Sequence, residues 1–250
     1  MDRMVQTALN SMKMLMENQA ATAHNLSNVS TPGFKQDIIT DFSSIYLNRQ
    51  EGLEPRIVSS REVGKFSLEV GMLDTTKAPL DVAINNEGYF VIQPKNGPPA
   101  LSRRGDFEVS DEGELTDGAG SKILDANLTP INIPPHKKIV VSENGDLFIE
   151  PLGEPEGTRV LAATIALTSG SEEPLHKDTD GQIRLIEGGI PEADQNVVLA
   201  QGFIENSNVN AIEELVDTLG QQRLFEINVK FIALSEQIDE GGASIMRLPN

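Results

Sequence analysis

The 250-residue chain contains no cysteine. Disulfides and thiolate metal ligands are therefore excluded, while the redox state of its compartment stays open. Long apolar runs are also absent: the longest apolar stretches, such as residues 160–167, fall far short of the ~20 residues that a membrane-spanning helix needs. We therefore expect no membrane insertion.

A secretory signal pattern is missing from the N-terminus. Such a signal combines a basic start, an unbroken apolar run and a small-residue cleavage site, whereas here methionines alternate with polar residues such as Asp2, Lys13 and Glu17. We expect that any export of this protein uses a route that does not cleave a signal peptide.

Basic residues are scarce, and the formal net charge is -18. Residues 1–50 carry four Lys or Arg against four Asp or Glu, whereas residues 101–250 carry eleven against twenty-seven, a net of 11 − 27 = −16. An acidic chain without a basic stripe repels phosphate groups. The composition therefore argues against nucleic acid and anionic membranes as partners.

Catalytic and metal-binding motifs are absent as well. The sequence has no Gly-x-Gly-x-x-Gly, no phosphate loop and no Gly-x-Ser-x-Gly elbow, and His24, His136 and His176 are far apart. The segment 178–181, Asp-Thr-Asp-Gly, lacks the remaining ligands of a calcium loop and is interpreted as a hairpin turn. We predict no catalytic residue, no cofactor and no metal.

What the chain does have is a helical pattern at each end. Apolar residues recur at alternating spacings of four and three in both regions. The N-terminal series is Met1, Val5, Ala8, Met12, Leu15, Gln19, Thr22 and Leu26, and the C-terminal series is Leu224, Ile227, Phe231, Leu234 and Ile238. The pattern predicts two terminal helices that pair through these series, with Gln19 and Thr22 as polar interruptions.

The C-terminal helix is apolar on more than one side. Residues 212–219 present a stripe that is rotated from the later one, and Phe225, Val229 and Ile232 form a further line. Such a helix is usually buried among several neighbours, which favours a protein that assembles. Gly241 and Gly242 disfavour helix, so we expect residues 243–250 to fray or fold back.

Between the helices the sequence is typical of antiparallel β-structure. Short runs rich in β-branched residues, such as 89–92, 139–141 and 147–149, are separated by glycine-containing turns. We predict an α+β fold in which the N- and C-terminal helices form a discontinuous helical core domain and the middle is mainly antiparallel β. The predicted division is 1–34 with 205–250 as the helical assembly domain, 35–77 as an extended connector, and 78–204 as the β-rich outer domain.

A helix stop follows the N-terminal helix. Pro32 cannot continue the hydrogen-bond ladder, it disfavours α conformation at Thr31, and Gly33 admits positive φ. The whole stretch 23–35 also resembles A-x-N-L-A-N-x-x-T-P-G-F-K, the N-terminal signature of the bacterial flagellar rod and hook proteins, through His24-Asn25-Leu26-Ser27-Asn28 and Thr31-Pro32-Gly33-Phe34-Lys35.

The resemblance to this family continues in order along the chain. Four further segments match its motifs. They are Pro79-Leu80-Asp81-Val82-Ala83-Ile84 with Gly88-Tyr89-Phe90, Ser102-Arg103-Arg104-Gly105-Asp106-Phe107, Gly202-Phe203-Ile204-Glu205-Asn206-Ser207-Asn208-Val209-Asn210, and Gln222-Arg223-Leu224-Phe225-Glu226. The chain is thus identified as resembling the rod members of the family, and by its length and Met-rich opening the proximal rod protein more than the distal one.

The resemblance implies a structural subunit that polymerises through its terminal helices and transmits torque in the axial drive shaft. It implies other rod proteins as partners, passage through the flagellar export apparatus, and a place in the basal-body rod within the periplasmic space. The expected assembly residues are Val5, Ala8, Met12, Leu15, Asn25, Leu26, Asn28, Pro32, Gly33, Phe34, Leu219, Arg223, Leu224, Phe225, Glu226, Ile227, Phe231 and Leu234. Two alternatives stay open: the distal rod protein, and a carbohydrate-active or ligand-binding β-rich domain that its helices dimerise.

Overall fold

A computed structural model describes residues 2–38, 44–46, 57–59, 64–170, 174–194 and 196–246 of the chain. Helix α1 (Asp2–Ser27) and helix α2 (Ala211–Met246) lie at the two ends, and short strands fill the middle. The predicted α+β class, with terminal helices around an antiparallel β middle, is confirmed.

The strands within the described residues are short, as the frequent turn signals predict. In chain order they are β1 (Ser44–Tyr46), β2 (Ile57–Ser59), β3 (Leu73–Thr75), β4 (Val82–Ile84), β5 (Tyr89–Gln93), β6 (Ala100–Ser102), β7 (Phe107–Val109), β8 (Leu115–Asp117), β9 (Lys122–Ile123), β10 (His136–Val141), β11 (Asp146–Pro151), β12 (Val160–Thr164), β13 (Leu167–Thr168), β14 (Leu175–Lys177), β15 (Ile183–Leu185), β16 (Leu199–Gln201) and β17 (Phe203–Glu205).

The chain divides into two compact units. The helical unit comprises Met1–Ser27, Asp37–Glu62 and Asn210–Asn250, and the β-rich unit comprises Asn28–Gln36 and Val63–Val209. The connector predicted over 35–77 lies partly outside the described residues, and its described parts include the β1–β2 hairpin and strand β3. The three-part division predicted from the sequence stays a prediction.

In the helical unit, α2 begins with an asparagine cap. Asn210 Oδ1 accepts a hydrogen bond from the Ile212 amide over 3.1 Å, and the first turn carries Glu213 and Glu214, whose charges suit a helix N-terminus. At its other end α2 continues through the two glycines to Met246. The expected departure from helix at residue 243 is therefore wrong for 243–246, because a glycine pair weakens a helix without forbidding it. Residues 247–250 lie outside the described residues.

The β-rich unit is antiparallel throughout its described strand pairs. Its largest sheet has the order β14-β15-β6-β5-β9-β8-β7, with β13 also paired to β5. A three-stranded sheet has the order β10-β11-β12, and β4 pairs with β16 while β3 pairs with β17. The last two pairings bring residues 73–84 beside residues 199–205, so the start and end of this unit lie together.

The core of the β-rich unit is built from the inward sides of these strands. Phe90 and Phe107 meet edge to face with ring centroids 5.0 Å apart, and Val82 and Ile84 beside them are fully buried. The predicted glycine turns are confirmed at three hairpins, where residues 110–114, 142–145 and 178–182 connect paired strands. At these three hairpins, the sequence pattern of short apolar runs separated by glycine-containing turns therefore predicts the observed structure.

No helix within the described ranges combines the length and apolar character that crossing a membrane requires.

Candidate assembly surface and signature cluster

Three hydrogen bonds between polar side chains join α1 to α2. They are Asn25 Nδ2 to Glu214 Oε1 (2.8 Å), Gln221 Nε2 to Thr22 Oγ1 (3.1 Å) and Asn228 Nδ2 to Ser11 Oγ (3.1 Å). Residue numbers fall along α1 as they rise along α2, so the two helices run antiparallel.

The face of α2 turned towards α1 repeats at alternating spacings of four and three, the spacing of a coiled-coil seam. We call it the inner face; its residues, all buried or half-buried, are Glu214, Thr218, Gln221, Phe225, Asn228, Ile232 and Ser235. Most of these side chains are polar. Thr22, which the sequence marks as an interruption of the α1 series, is buried and has its polar partner in Gln221.

A second series on α2, the outer stripe, is exposed. It consists of Leu224 (51% exposed), Ile227 (59%), Phe231 (38%), Leu234 (52%) and Ile238 (49%). The expectation that this series pairs with α1 is wrong, because the series is exposed and the hydrogen bonds described above join α1 to the inner face instead. The earlier apolar stripe of α2, which the sequence places over residues 212–219, is exposed as well. Its side chains are Ile212, Leu215, Val216 and Leu219.

Helix α1 exposes a smaller apolar line at a spacing of seven. Leu9 is 53% and Met16 is 61% exposed, and Ala23 continues the line. Single exposed apolar residues are ordinary, whereas larger exposed apolar patches are typical of sites that bind other proteins. The helical unit therefore buries a polar-rich seam and presents apolar lines outward.

The structure separates the expected assembly residues into two groups. On α1, Ala8, Leu15 and Asn25 are buried, and Val5, Met12 and Leu26 are half-buried. On α2, Phe225 is half-buried, and the exposed residues are Leu219, Arg223, Leu224, Glu226, Ile227, Phe231 and Leu234. Contact of these residues with other subunits stays a prediction.

Asn25 has a structural task inside the helical unit. Besides its bond to Glu214, its Nδ2 donates to the Asp37 carbonyl over 3.0 Å, and its Oδ1 accepts from the Asp37 amide over 2.8 Å. Its side chain is fully buried, so these bonds satisfy an amide that would otherwise be costly to bury. Asn25 thereby ties residue 37 to the pair of helices.

The signature residues from Asn28 onward belong to the β-rich unit. The Thr31 amide bonds to the Asn28 carbonyl over 3.0 Å, and the Gly33 amide donates to the Glu205 carbonyl over 2.7 Å. Gly33 has φ +65°, and a Cβ there would lie 2.3 Å from the Arg103 carbonyl carbon. Glycine is required at this position for its conformation and for the close approach of two backbones.

A buried ionic cluster lies beside Gly33. Lys35 Nζ is 2.9 Å from Glu205 Oε1, and Arg103 Nε donates to Glu205 Oε2, so one carboxylate joins two cations. Lys35 Nζ also donates to the Glu69 carbonyl over 2.6 Å. The three ionic side chains are at most 3% exposed. We call Lys35, Arg103 and Glu205 the signature cluster.

Backbone carbonyls complete the pairing of Arg103. Its Nη1 donates to the carbonyls of Asn86 (2.9 Å) and Gly88 (2.8 Å), and its Nη2 donates to that of Ile84 (3.1 Å). Burial lowers the pKa of Lys35, with Glu205 opposing this effect and Arg103 adding to it. The cluster is stable in its ionised form only because nearly every donor has an acceptor.

Phe34 and Asn208 enclose the cluster. Lys177 Nζ lies 3.8 Å from the centroid of the Phe34 ring and donates to the Lys35 carbonyl over 2.8 Å. Asn208 Oδ1 accepts from the Gln36 amide over 2.7 Å, and its Nδ2 donates to the Glu69 carbonyl over 3.0 Å. Residues 33–36 are thus held by side chains from remote parts of the sequence.

Sequence reasoning missed these residues as a site. Lys35, Arg103, Glu205 and Asn208 all lie in segments that resemble family motifs, but their convergence requires the fold. A charged residue is exposed by default, and no spacing relates positions 35, 103 and 205. The available signal was the presence of an ionic residue in each of three matched segments.

Comparison with known proteins gives matches over most of the chain. Residues 83–149 match the family described as the flagellar hook protein FlgE/F/G D1 domain, and residues 200–245 match the flagellar basal body rod FlgEFG protein C-terminal family. The flagellar basal-body rod protein FlgG of Borreliella burgdorferi is 32% identical over 263 residues, covering 95% of this chain and 96% of that protein. FlgG of Buchnera aphidicola subsp. Acyrthosiphon pisum is 32% identical, covering 88% and 91%. FlgF of Salmonella typhimurium is 28% identical, covering 98% of each.

Proposed function

This chain belongs to the flagellar basal-body rod protein family, and from that premise we propose that it occupies the proximal, FlgF-like part of the rod. It is a structural subunit of the flagellar basal body that assembles with other rod components and serves motility. The proximal position is supported by coverage, since the Salmonella FlgF aligns with 98% of both chains. Sequence identity favours the alternative of a distal, FlgG-like subunit, because the chain is 32% identical to the Borreliella FlgG and 28% identical to the Salmonella FlgF.

The outer stripe of α2 is the observation that carries the mode of assembly. We propose that it binds α1 of a neighbouring rod subunit, against the line formed by Leu9, Met16 and Ala23. Both surfaces are exposed, apolar and helical, and both repeat on a heptad. The charges of the two helices also favour this pairing. Helix α2 carries seven Asp or Glu and two Lys or Arg, whereas α1 carries two acidic and two basic residues. An α2 helix is therefore repelled less by α1 of a neighbour than by a second α2.

The subunit performs no reaction in this proposal. Its contribution to the drive shaft is to transmit torque through many contacts between helices. It reaches the periplasmic part of the basal body through the flagellar export apparatus, and it binds no nucleic acid. The acidic surface supports the last point, because it repels phosphate.

A complementation experiment tests this assembly mode. The triple variant Leu224→Ser, Ile227→Ser, Leu234→Ser alters only exposed side chains and is introduced into a strain that lacks the native gene. We expect loss of swimming with normal production and folding of the protein. The matched control, Lys230→Ser, Gln237→Ser, Glu240→Ser, changes three exposed polar residues of the same helix and is expected to swim. Normal swimming of the stripe variant would show that the stripe is dispensable.

The position in the rod requires a separate measurement. A photo-crosslinking amino acid at position 224 in isolated basal bodies is expected to capture proximal rod subunits. Capture of hook or distal rod subunits alone would favour the FlgG-like alternative.

For the rival class, a β-rich carbohydrate-active protein, deletion of residues 1–30 is expected to preserve activity. A rod subunit, in contrast, is expected to lose assembly and to show no glycosidase activity before or after the deletion.

A further inference from the structure

The helical unit could pair its helices in two ways, and it uses the less apolar one. The inner face of α2 and the outer stripe have the same alternating spacing, and ideal helix geometry places their centres roughly 110° apart. A simple rotation of α2 about its axis would turn the outer stripe onto α1. That rotation would bury five large apolar side chains that are now 38–59% exposed. Something other than apolar burial therefore selects the observed face.

The selecting groups are polar and lie on α1. Thr22 and Asn25 are 1% and 0% exposed, so neither can rely on bulk water, and Ser11 is half-buried. Each has its partner on the inner face, through Gln221, Glu214 and Asn228 respectively. If the outer stripe faced α1, leucine, isoleucine and phenylalanine would cover these groups and replace their partners on α2, and Asn25 would keep only its bonds to Asp37. Buried polar groups without partners are strongly penalised.

We propose that Ser11, Thr22 and Asn25 determine which face of α2 pairs within the chain, and thereby keep the outer stripe available for a neighbouring subunit. Polar residues in a helical seam reduce the stability of the pair but fix its register and orientation. Polar residues recur in the seam, since Glu214, Gln221, Asn228 and Ser235 lie at every seventh position, and the first three of them bond to α1. The second half of the proposal depends on the assembly mode proposed above, whereas the choice of face does not.

Crosslinking of the purified full chain tests the choice of face directly. The absence of native cysteine makes every engineered pair unambiguous. Ser11→Cys with Asn228→Cys reports the observed face, because these side chains are 3.1 Å apart. Ser11→Cys with Ile227→Cys reports the rotated face, because a rotation of about 110° brings position 227 to the place of position 228. Both pairs lack Ser11, so they test Thr22 and Asn25: each pair is made with these two residues unchanged, called the native background, and with Thr22→Val and Asn25→Leu, called the apolar background.

In the native background we expect the 11–228 pair to crosslink at least tenfold faster than the 11–227 pair. In the apolar background we expect this preference to fall at least fivefold or to reverse. An unchanged preference in chains with native helix content, measured by circular dichroism, would overturn the proposal. The same would hold if the two pairs crosslinked equally fast in the native background.

A second variant protects the test from loss of folding, because Asn25 also holds Asp37. Thr22→Val with Gln221→Met removes one polar pair from both helices together and leaves Asn25 intact. It is expected to shift the preference in the same direction by a smaller factor, and no shift would count against the proposal. A swimming assay then distinguishes the choice of face from the assembly role of the outer stripe. A variant with rotated α2 that cannot swim supports both proposals. A variant with rotated α2 that swims refutes only the assembly role of the stripe.

Discussion

Lys35 and Glu205 are 170 positions apart in sequence, yet their side chains form a 2.9 Å ion pair in which each is 1% exposed. Glu205 is the last residue of β17, and Lys35 follows the turn that ends the signature after α1. The pair therefore joins the start of the β-rich unit to the part of the chain that leads into α2. A contact of this kind depends on the fold of the unit and supports it.

Lys35→Met is expected to destabilise the β-rich unit strongly. The change leaves Glu205 buried with one cation instead of two, and breaking a buried ion pair from one side costs about 3–5 kcal/mol. Urea unfolding measures the loss and is followed by tyrosine fluorescence in a Tyr46→Phe background, in which Tyr89, buried beside this region, is the one tyrosine left. The control is Lys13→Met, because the Lys13 side chain is 79% exposed and lies 3.9 Å from Glu17. Equal stability of the two variants would show that the cluster contributes little.

The cluster also shows what the sequence could and could not predict. The heptads at both ends predict the helices, and the glycine turns predict the hairpins, because these signals are local. The choice between the two faces of α2 is not local: apolar periodicity favours Leu224 and Phe231, but it cannot say whether a face pairs within the chain or between chains. Likewise, nothing in the spacing of Lys35, Arg103 and Glu205 indicates that they meet.

Tyr89 gives the protein a pH-dependent stability in the alkaline range. Burial raises the pKa of Tyr89 to about 12, from about 10 in an unfolded chain. The neutral phenol is therefore favoured by folding, so its contribution is complete below pH 10 and is lost as the pH rises towards 12. Lys35 makes the free energy of unfolding change with pH in the opposite direction. Burial lowers its pKa, so the folded protein gains stability as Lys35 loses its proton, and this gain is complete by about pH 10.5.

Stability between pH 10.5 and 12 is therefore expected to fall more steeply in the native protein than in Tyr89→Phe. Thermal unfolding at a series of pH values measures the difference in stability. The chain has two tyrosines, so the pKa of Tyr89 is obtained from the difference in phenolate absorbance between the native protein and Tyr89→Phe. Parallel pH profiles for the two proteins would mean that Tyr89 titrates normally in the folded state.

Asn208→Asp is expected to loosen the residues that follow the signature. The carboxylate can still accept the Gln36 amide, but an oxygen replaces the donor that faces the Glu69 carbonyl. The variant loses the hydrogen bond to the Glu69 carbonyl and places two acceptors against each other. We expect this to lower the free energy of unfolding by about 1–3 kcal/mol. Hydrogen exchange of the Gln36 and Ser67 amides is expected to accelerate, since the Ser67 amide bonds to the Gln36 carbonyl. Asn144→Asp, in an exposed hairpin turn, is the matched control and is expected to leave exchange at these amides unchanged.

Gly33→Ala separates the role of the signature glycine from the general effect of losing a glycine. A Cβ at position 33 would lie 2.3 Å and 2.4 Å from backbone atoms of Arg103 and Arg104, and φ is +65°. Neither backbone atom can move without disturbing Arg103, so the cost is expected to exceed the roughly 1 kcal/mol of a simple left-handed alanine. The control is Gly220→Ala, because the Cβ there meets open space in the interior of α2, where alanine is favoured by about 1 kcal/mol. Thermal unfolding is therefore expected to move in opposite directions for the two variants. A stable Gly33→Ala protein would mean that residues 31–35 can leave Arg103 without loss, and that the signature cluster does not depend on this turn.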